Sequence, residues 1–222
     1  QQSAHAALEP HVVACYLDSR GRISIISATQ VPFHARRIVS RVLDIPLHRV
    51  RVIKPRIGGG FGAKQEVILE PYAALATLRT GRNTVCEFTR SETFVSSRTR
   101  HPMRVALRTG VKKDGTITAM EMDALMDTGA YGTHALTVLS NAGAKVLPLF
   151  NKIPNVAFAG RSVYTNHPVG GAYRGYGATQ GYFAFNQQLD IITRKLGVDM
   201  VDYCKQWHIK EGETSDIFKA LG

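Results

Sequence analysis

Apolar positions along the chain recur with two periods. Val12–Leu17 and Ile23–Ser27 are β-branched runs separated by Asp18-Ser19-Arg20-Gly21-Arg22, and this predicts a hairpin. Ile38, Val39, Val42 and Leu43 make a helical stripe within residues 33–43, ended by Asp44-Ile45-Pro46. Val50–Ile53 predicts a strand, residues 66–78 a helix stopped at Thr80-Gly81, and residues 85–89 another strand. Residues 91–94 predict a short capped turn of helix. Met103–Val111 and residues 116–127 are long extended runs joined by Lys112-Lys113-Asp114-Gly115, a second hairpin. A helix is expected within residues 137–145, and Val156–Tyr164 reads as a strand. A helix over roughly residues 182–196 carries Phe185, Leu189, Ile192 and Leu196 as its buried stripe and closes at Gly197. The pattern predicts an α+β fold: mixed sheets with hairpin-linked strands and packed helices, not regular β-α-β alternation.

Two glycine-rich stretches interrupt this pattern. The first is Arg56-Ile57-Gly58-Gly59-Gly60-Phe61-Gly62-Ala63-Lys64-Gln65, set between a strand and the helix expected from residue 66. The second runs from Gly170 through Tyr173-Arg174-Gly175-Tyr176-Gly177 to Gly181 and also leads into a helix. Clustered glycines let a backbone take positive φ and approach a ligand closely, and a helix start offers free N–H groups. Each stretch pairs aromatic residues (Phe61; Tyr173, Tyr176) with a cation, Lys64 or Arg174. Two such loops meeting would make a crevice of backbone donors and flat walls, suited to a large phosphorylated cofactor beside a small planar substrate. Glycine needed only for turn geometry, and tyrosines that merely pack, are the plainer readings.

Charge strengthens the case for an anionic ligand. The 222 residues carry a net charge of +11, and between Val31 and Lys64 eight basic residues face one acid, Asp44. A phosphorylated cofactor, an acidic subunit or nucleic acid would suit this run; a solvated helix face would also explain it. No nucleic-acid-binding motif is recognisable, and no apolar run approaches the roughly 20 residues of a membrane span. Cys15, Cys86 and Cys204 are scattered without a CxxC, which fits a reducing compartment and supports neither a zinc ribbon nor an iron–sulfur cluster. The eight histidines show no metal-ligand spacing, and Glu121 and Asp127 read as structural or surface charges. The chain begins at Gln1 with 44% hydrophobic residues, and is expected to be a processed chain or a piece of a longer one. Gly58-x-Gly60-x-x-Ala63 with Glu87 on the next strand also fits a dinucleotide fingerprint, although Lys54-Pro55-Arg56 separates the strand from the glycines.

The motifs resemble those of the xanthine dehydrogenase and aldehyde oxidase family, the molybdenum hydroxylases. Gly58 to Lys64 is similar to the family's GGGFGGK, and Ala172-Tyr173-Arg174-Gly175-Tyr176-Gly177 to its A-[FY]-R-G-[FY]-G. Leu8-Glu9-Pro10, Ser27-x-Thr29-Gln30, Arg100-His101-Pro102, Asp127-x-Gly129-Ala130-Tyr131 and Ile153-Pro154-Asn155 follow in the family's order. The look is that of bacterial xanthine, nicotinate or similar N-heterocycle hydroxylases. The resemblance implies that residues 1–222 are the N-terminal part of a molybdopterin-binding domain. It implies Mo-molybdopterin, as such or in its cytosine dinucleotide form, with iron–sulfur clusters and FAD only on partner chains. Water would supply the oxygen placed on an N-heterocycle or aldehyde. Gly60, Phe61, Gly62 and Arg174 would contact the cofactor, Gln65, Tyr173 and Tyr176 the substrate, and no protein residue would ligate the metal.

Several departures narrow this. Gln65 stands where xanthine-specific members carry a glutamate, and Asn141-Ala142-Gly143 aligns where they carry a substrate-binding arginine. Arg174-Gly175-Tyr176 differs from the arginine–cysteine–serine of carbon monoxide dehydrogenases. A cofactor-proximal glutamine of the family aligns with Ser3, near Gln1 and Gln2. The family's catalytic base, a glutamate in G-x-G-E, has no counterpart here; Glu211-Gly212-Glu213 is not that motif. The expected partners are therefore a complementary molybdopterin-binding chain or the remainder of a large subunit, an iron–sulfur subunit and an FAD subunit. The expected setting is the cytoplasm, without nucleic acid or membrane. A non-catalytic assembly chain of such a complex, or an NAD-binding dehydrogenase, are the alternatives.

Overall fold

The computed structural model describes residues 3–150, 152–215 and 217. Gln1 and Gln2, two of the candidates for the cofactor-proximal glutamine, lie outside the described residues. The chain divides into two compact units, residues 1–100 with 171–174, and residues 101–170 with 175–222.

The first unit is built on a four-stranded sheet of β1 (Val12–Leu17), β2 (Ile23–Ser27), β3 (Val50–Ile53) and β4 (Thr84–Glu87), in the order β3-β2-β1-β4. β1 pairs antiparallel with β2, as the first hairpin predicts, and also with β4, whereas β3 runs parallel to β2. The link from β2 to β3 is thus a crossover through α1 (Pro32–Val42). Alternate positions Val13, Cys15, Ile23 and Ile25 point into one core. Val39 and Ala35 of α1 and Ala73 and Ala74 of α2 (Glu70–Thr80) are the buried positions of those helices. The expected α1 stripe is therefore shifted: Ala35 and Val39 are buried, and Val42 is exposed. α3 (Arg90–Ser96) starts with a capping box between Thr89 and Glu92.

The helix expected from residue 66 begins at Glu70 instead. Pro71 has no N–H and would break a helix interior, so it sits in the first turn. The Glu70 carboxylate accepts the Ile68 N–H at 3.0 Å and the Ser27 hydroxyl at 2.7 Å, which ties the residues before the helix into the sheet. Gly81, with φ +65°, closes the helix as predicted.

The second unit holds a three-stranded sheet of β5 (Met103–Val111), β6 (Ile117–Gly129) and β7 (Val156–Tyr164). β5 and β6 form the second predicted hairpin. β7 lies parallel to β6 after a crossover through α4 (Ala135–Ala144), so each unit joins adjacent parallel strands through a helix, which the hairpin reading did not foresee. α5 (Ala178–Leu196) starts four residues earlier than expected and buries Phe185, Leu189 and Ile192 against Met120 and Met122. α6 (Met200–Trp207) is capped by Asp199. Asp127 acts structurally, as read: its carboxylate accepts from Gly129 N–H, Thr165 Oγ1 and His167 Nδ1, closing the β6–β7 end.

Candidate functional site

The first glycine stretch leaves β3 and runs through Gly59 (φ +97°), Phe61 (φ +51°) and Gly62 (φ +102°) into one 3-10 turn, Ala63–Gln65. No helix abuts it, because α2 starts at Glu70, so a helix dipole does not serve this loop. Positive φ on a bulky residue such as Phe61 is costly and persists only where surrounding structure enforces it.

Two side chains do the enforcing. Glu9 Oε2 accepts the Gly58 N–H at 2.9 Å and pairs with Lys64 Nζ at 2.5 Å. Gln30 Oε1 accepts the Gly62 N–H at 2.9 Å, and its backbone N–H donates to Lys64 O at 2.8 Å. A side chain at Gly60 would meet the Gln30 amide at 2.5 Å, and one at Gly62 would meet the Ala172 carbonyl at 2.5 Å. Lys64, expected as a cation facing a ligand, is instead 1% exposed and neutralised by Glu9. Once Gly58 and Gly62 are bonded, the N–H groups of Gly59, Gly60 and Phe61 remain without a partner among the described residues, although Gly60 is buried. These three consecutive donors are the part of the loop open to a ligand.

Residues 171–174 of the second glycine stretch belong to this same unit. Arg174 sets its guanidinium 4.0 Å over the Phe61 ring and donates to His5 O at 2.7 Å. Tyr173 is half-buried: its hydroxyl donates to Ala4 O at 3.0 Å, the His5 ring meets it tilted at 4.1 Å, and the Arg100 guanidinium lies over it at 4.1 Å. Arg100 in turn donates to Arg174 O at 2.8 Å. Gln65 is half-buried, with no side-chain hydrogen bond among the described residues. His5 and His11 are buried and donate Nε2–H to Ala172 O (2.7 Å) and Ala63 O (3.1 Å), while each Nδ1 lacks a partner among the described residues. Burial pushes both imidazoles below their usual value, and these bonds only partly offset it. Burial also tends to raise Glu9, but its bonds to Lys64 and Gly58 win and hold its carboxyl below the usual range.

Tyr176, in the second unit, is a further non-glycine residue of positive φ (+48°), between Gly175 (+80°) and Gly177 (+100°). Asn141 Nδ2 donates to Tyr176 O at 3.2 Å, and the Tyr176 hydroxyl shares a short hydrogen bond with His134 Nδ1. Asn141, noted as the neutral counterpart of an arginine, thus has a local partner.

The basic run distributes unevenly. Arg22, Arg36, His48, Arg51 and Lys54 line a groove of about 370 Å³ beside Phe33. The dinucleotide fingerprint lacks its context, since no helix follows its glycines directly (α2 starts at Glu70) and β4 lies at the opposite edge of the sheet from β3. Among the described residues no cluster of His, Cys, Asp or Glu could hold a metal ion, and no helix is long and apolar enough to cross a membrane. Sequence reading gave no role to Glu9, Gln30, His5 or His11. Glu9 and Gln30 stood within the motif series, but 49 and 32 residues separate them from the glycines they hold.

The chain belongs to the family of the molybdopterin cofactor-binding domain, whose model matches residues 1–206. It is 40% identical over 221 residues to a protein of Escherichia coli named "Probable hypoxanthine oxidase", covering all of this chain and 23% of that protein. It is 33% identical over 198 residues to the nicotinate dehydrogenase large molybdopterin subunit of Eubacterium barkeri, covering 89% of this chain and 46% of that one. Among solved structures, the aldehyde oxidoreductase of Desulfovibrio gigas superposes with a TM-score of 0.89 at 29% identity, over 96% of this chain and 24% of that one. The chain thus spans about a quarter of the length of the first of these relatives. The α+β architecture is that of this family.

Proposed function

We propose that this chain forms the N-terminal part of the molybdopterin-binding region of a molybdenum hydroxylase large subunit. The observation that carries the reading is the Gly59–Phe61 segment: three consecutive N–H groups without partners among the described residues, a strained aromatic residue at their end, and Arg174 laid over that aromatic ring. A cofactor rich in oxo and phosphate oxygens needs backbone donors and a fixed cation, and these residues supply both. Gly60, Phe61 and Arg174 would hold the cofactor directly. Gly62 would act through its place in the loop, since Gln30 already takes its N–H. When bound, the cofactor would supply the redox centre at which an oxygen atom from water is placed on an electron-poor carbon and two electrons are taken up.

Gln65, whose amide has no partner among the described residues, and Tyr176 would face the substrate, an N-heterocycle or an aldehyde. The relatives named for hypoxanthine, nicotinate and aldehyde lend support to that range. Tyr173 would serve as a buttress, since its ring meets His5 and Arg100 and its hydroxyl donates to Ala4 O. The general base would come from the remainder of the large subunit or a complementary chain, electrons would leave through an iron–sulfur subunit, and FAD would sit on another. The complex would work in the cytoplasm, with the pterin in its cytosine dinucleotide form.

Purifying the native assembly that contains this chain, and measuring molybdenum, pterin and acid-released nucleotide, tests the reading. It expects about one molybdenum and one pterin per chain, with cytidine monophosphate released. It also expects Arg174→Ala to lower both contents without changing the melting temperature by more than a few degrees. A wild-type assembly free of metal and pterin would overturn it.

A further inference from the structure

The strained Tyr176 is gripped by one face of α4. His134, the residue at the N-terminal boundary of that helix, bonds the phenol through Nδ1, and the two rings meet edge to face at 5.4 Å and 77°. Seven residues on, Asn141 donates to the Tyr176 carbonyl at 3.2 Å. Between them, the Val138 carbonyl occupies the space a side chain at Gly177 would need. Positions 134, 138 and 141 lie one and two turns apart, so a single helix face holds residues 176 and 177 at three points. The helix itself is fixed: Ala135, Val138 and Leu139 pack with Ala124 and Met126 of β6, and Tyr176 packs on the same cluster.

We propose that His134 is a positioning residue that fixes the plane of the Tyr176 ring and occupies its hydroxyl. This rests on the reading of Tyr176 as the aromatic wall of the substrate site. A phenylalanine at this position would keep the Asn141 bond to its backbone carbonyl, but its ring would be held only by packing; the tyrosine adds the bond at its phenol. The wall then presents a ring of set orientation, with its hydrogen-bonding end already engaged. Such a wall selects a flat heteroaromatic ring through stacking, and it gives a small aliphatic aldehyde little to hold.

The test uses the complete holoenzyme containing this chain, assayed with hypoxanthine, nicotinate and acetaldehyde. His134→Ala and Tyr176→Phe should each raise KM for the heteroaromatic substrate about tenfold and change kcat less than about twofold. The double variant should be no worse than either single one. His134→Gln, which keeps a hydrogen-bonding group in place, should recover most of the loss, and in every variant KM for acetaldehyde should change less than KM for the heteroaromatic substrates. Melting temperatures of the same variants check the contact itself, and should be non-additive. Additive effects on KM, or equal losses on all three substrates, overturn the inference. So does a coupling seen in melting temperature with KM unchanged, since the pair would then be purely structural. A wild-type holoenzyme that turns over none of the three removes the underlying reading, and this inference falls with it; that failure is recognised because it precedes any variant.

Discussion

The Lys64 ammonium, 1% exposed, lies 2.5 Å from Glu9 Oε2, and the same carboxylate oxygen takes the Gly58 N–H. The pair is unequal, because Glu9 is 29% exposed. Removing either partner leaves a different orphan. Glu9→Gln leaves a charged lysine with no water, at a cost of about 3–5 kcal/mol. Lys64→Met leaves a carboxylate that water still reaches, at a cost of about 1–2 kcal/mol. Urea unfolding of the two variants should therefore rank Glu9→Gln as the more damaging, and the reverse order would mean that the lysine is hydrated.

The glycines of the loop differ in what they tolerate. A side chain at Gly62 meets both a left-handed backbone (φ +102°) and the Ala172 carbonyl at 2.5 Å, whereas one at Gly81 (φ +65°) meets nothing within 4 Å. Gly81→Ala should cost about 1 kcal/mol, from backbone conformation alone. Gly62→Ala should cost about 3 kcal/mol or more, since it adds overpacking against a carbonyl that cannot move freely. Thermal denaturation of the pair separates the two contributions.

These relationships also show where the sequence stops speaking. Both hairpins were legible because Asp18–Arg22 and Lys112–Gly115 carry local turn chemistry. The ends of α2 and α5 were legible because Gly81 and Gly197 take a left-handed turn. The crossovers through α1 and α4 were not, because parallel pairing of β3 with β2 and of β7 with β6 is decided by burial between distant segments. For Lys64 the expectation of a cation facing a ligand failed, since the acid that pairs with it lies 55 residues away. The glycine motifs marked the proposed site, and the hydrogen bonds that hold its loop come from Glu9, Gln30 and two histidines whose spacing carries no local signature.

Those histidines make stability depend on pH. His5 and His11 are neutral in the fold, each with Nε2–H donated and a buried, bare Nδ1. Their folded values lie below the 6.5 of the unfolded chain. The unfolded state therefore binds more protons as pH falls, and the fold loses stability from about pH 6.5 downward, by up to about 1.4 kcal/mol per pH unit for each histidine. Above that the contribution is complete. Urea midpoints should be level between pH 8 and 7 and drop on acidification. His11→Gln, which can still donate to Ala63 O, should flatten the slope.

Cys15 should be chemically silent in the folded chain. Burial pushes its thiol up to about 12, and the nearby Glu70 and Cys86 add to the effect. Iodoacetamide at pH 8 should label the half-buried Cys86 and spare Cys15 until denaturant is added. Mass spectrometry of the alkylated chain reads this directly, and rapid native labelling of Cys15 would mean that the sheet core opens.

The loop's hydrogen bonds can be read amide by amide. Gly62 N–H is held by Gln30 at 2.9 Å, whereas those of Gly59, Gly60 and Phe61 have no partner among the described residues. In the cofactor-free chain, hydrogen exchange should thus be slow at Gly62 and fast at the three amides before it. Loading with cofactor should slow those three, because a bound oxyanion accepts what the protein does not, and should leave Gly62 as it was. Gln30→Leu inverts the logic: it removes the acceptor while roughly preserving volume, so Gly62 should exchange quickly and the positive φ of Phe61 should lose its support. If the three amides stay fast in the loaded enzyme, the cofactor binds elsewhere and the glycines serve only the tight approach of Gln30 and Ala172. If they slow together, the backbone of this loop is the cradle, and Gln30 is what keeps its donors aimed.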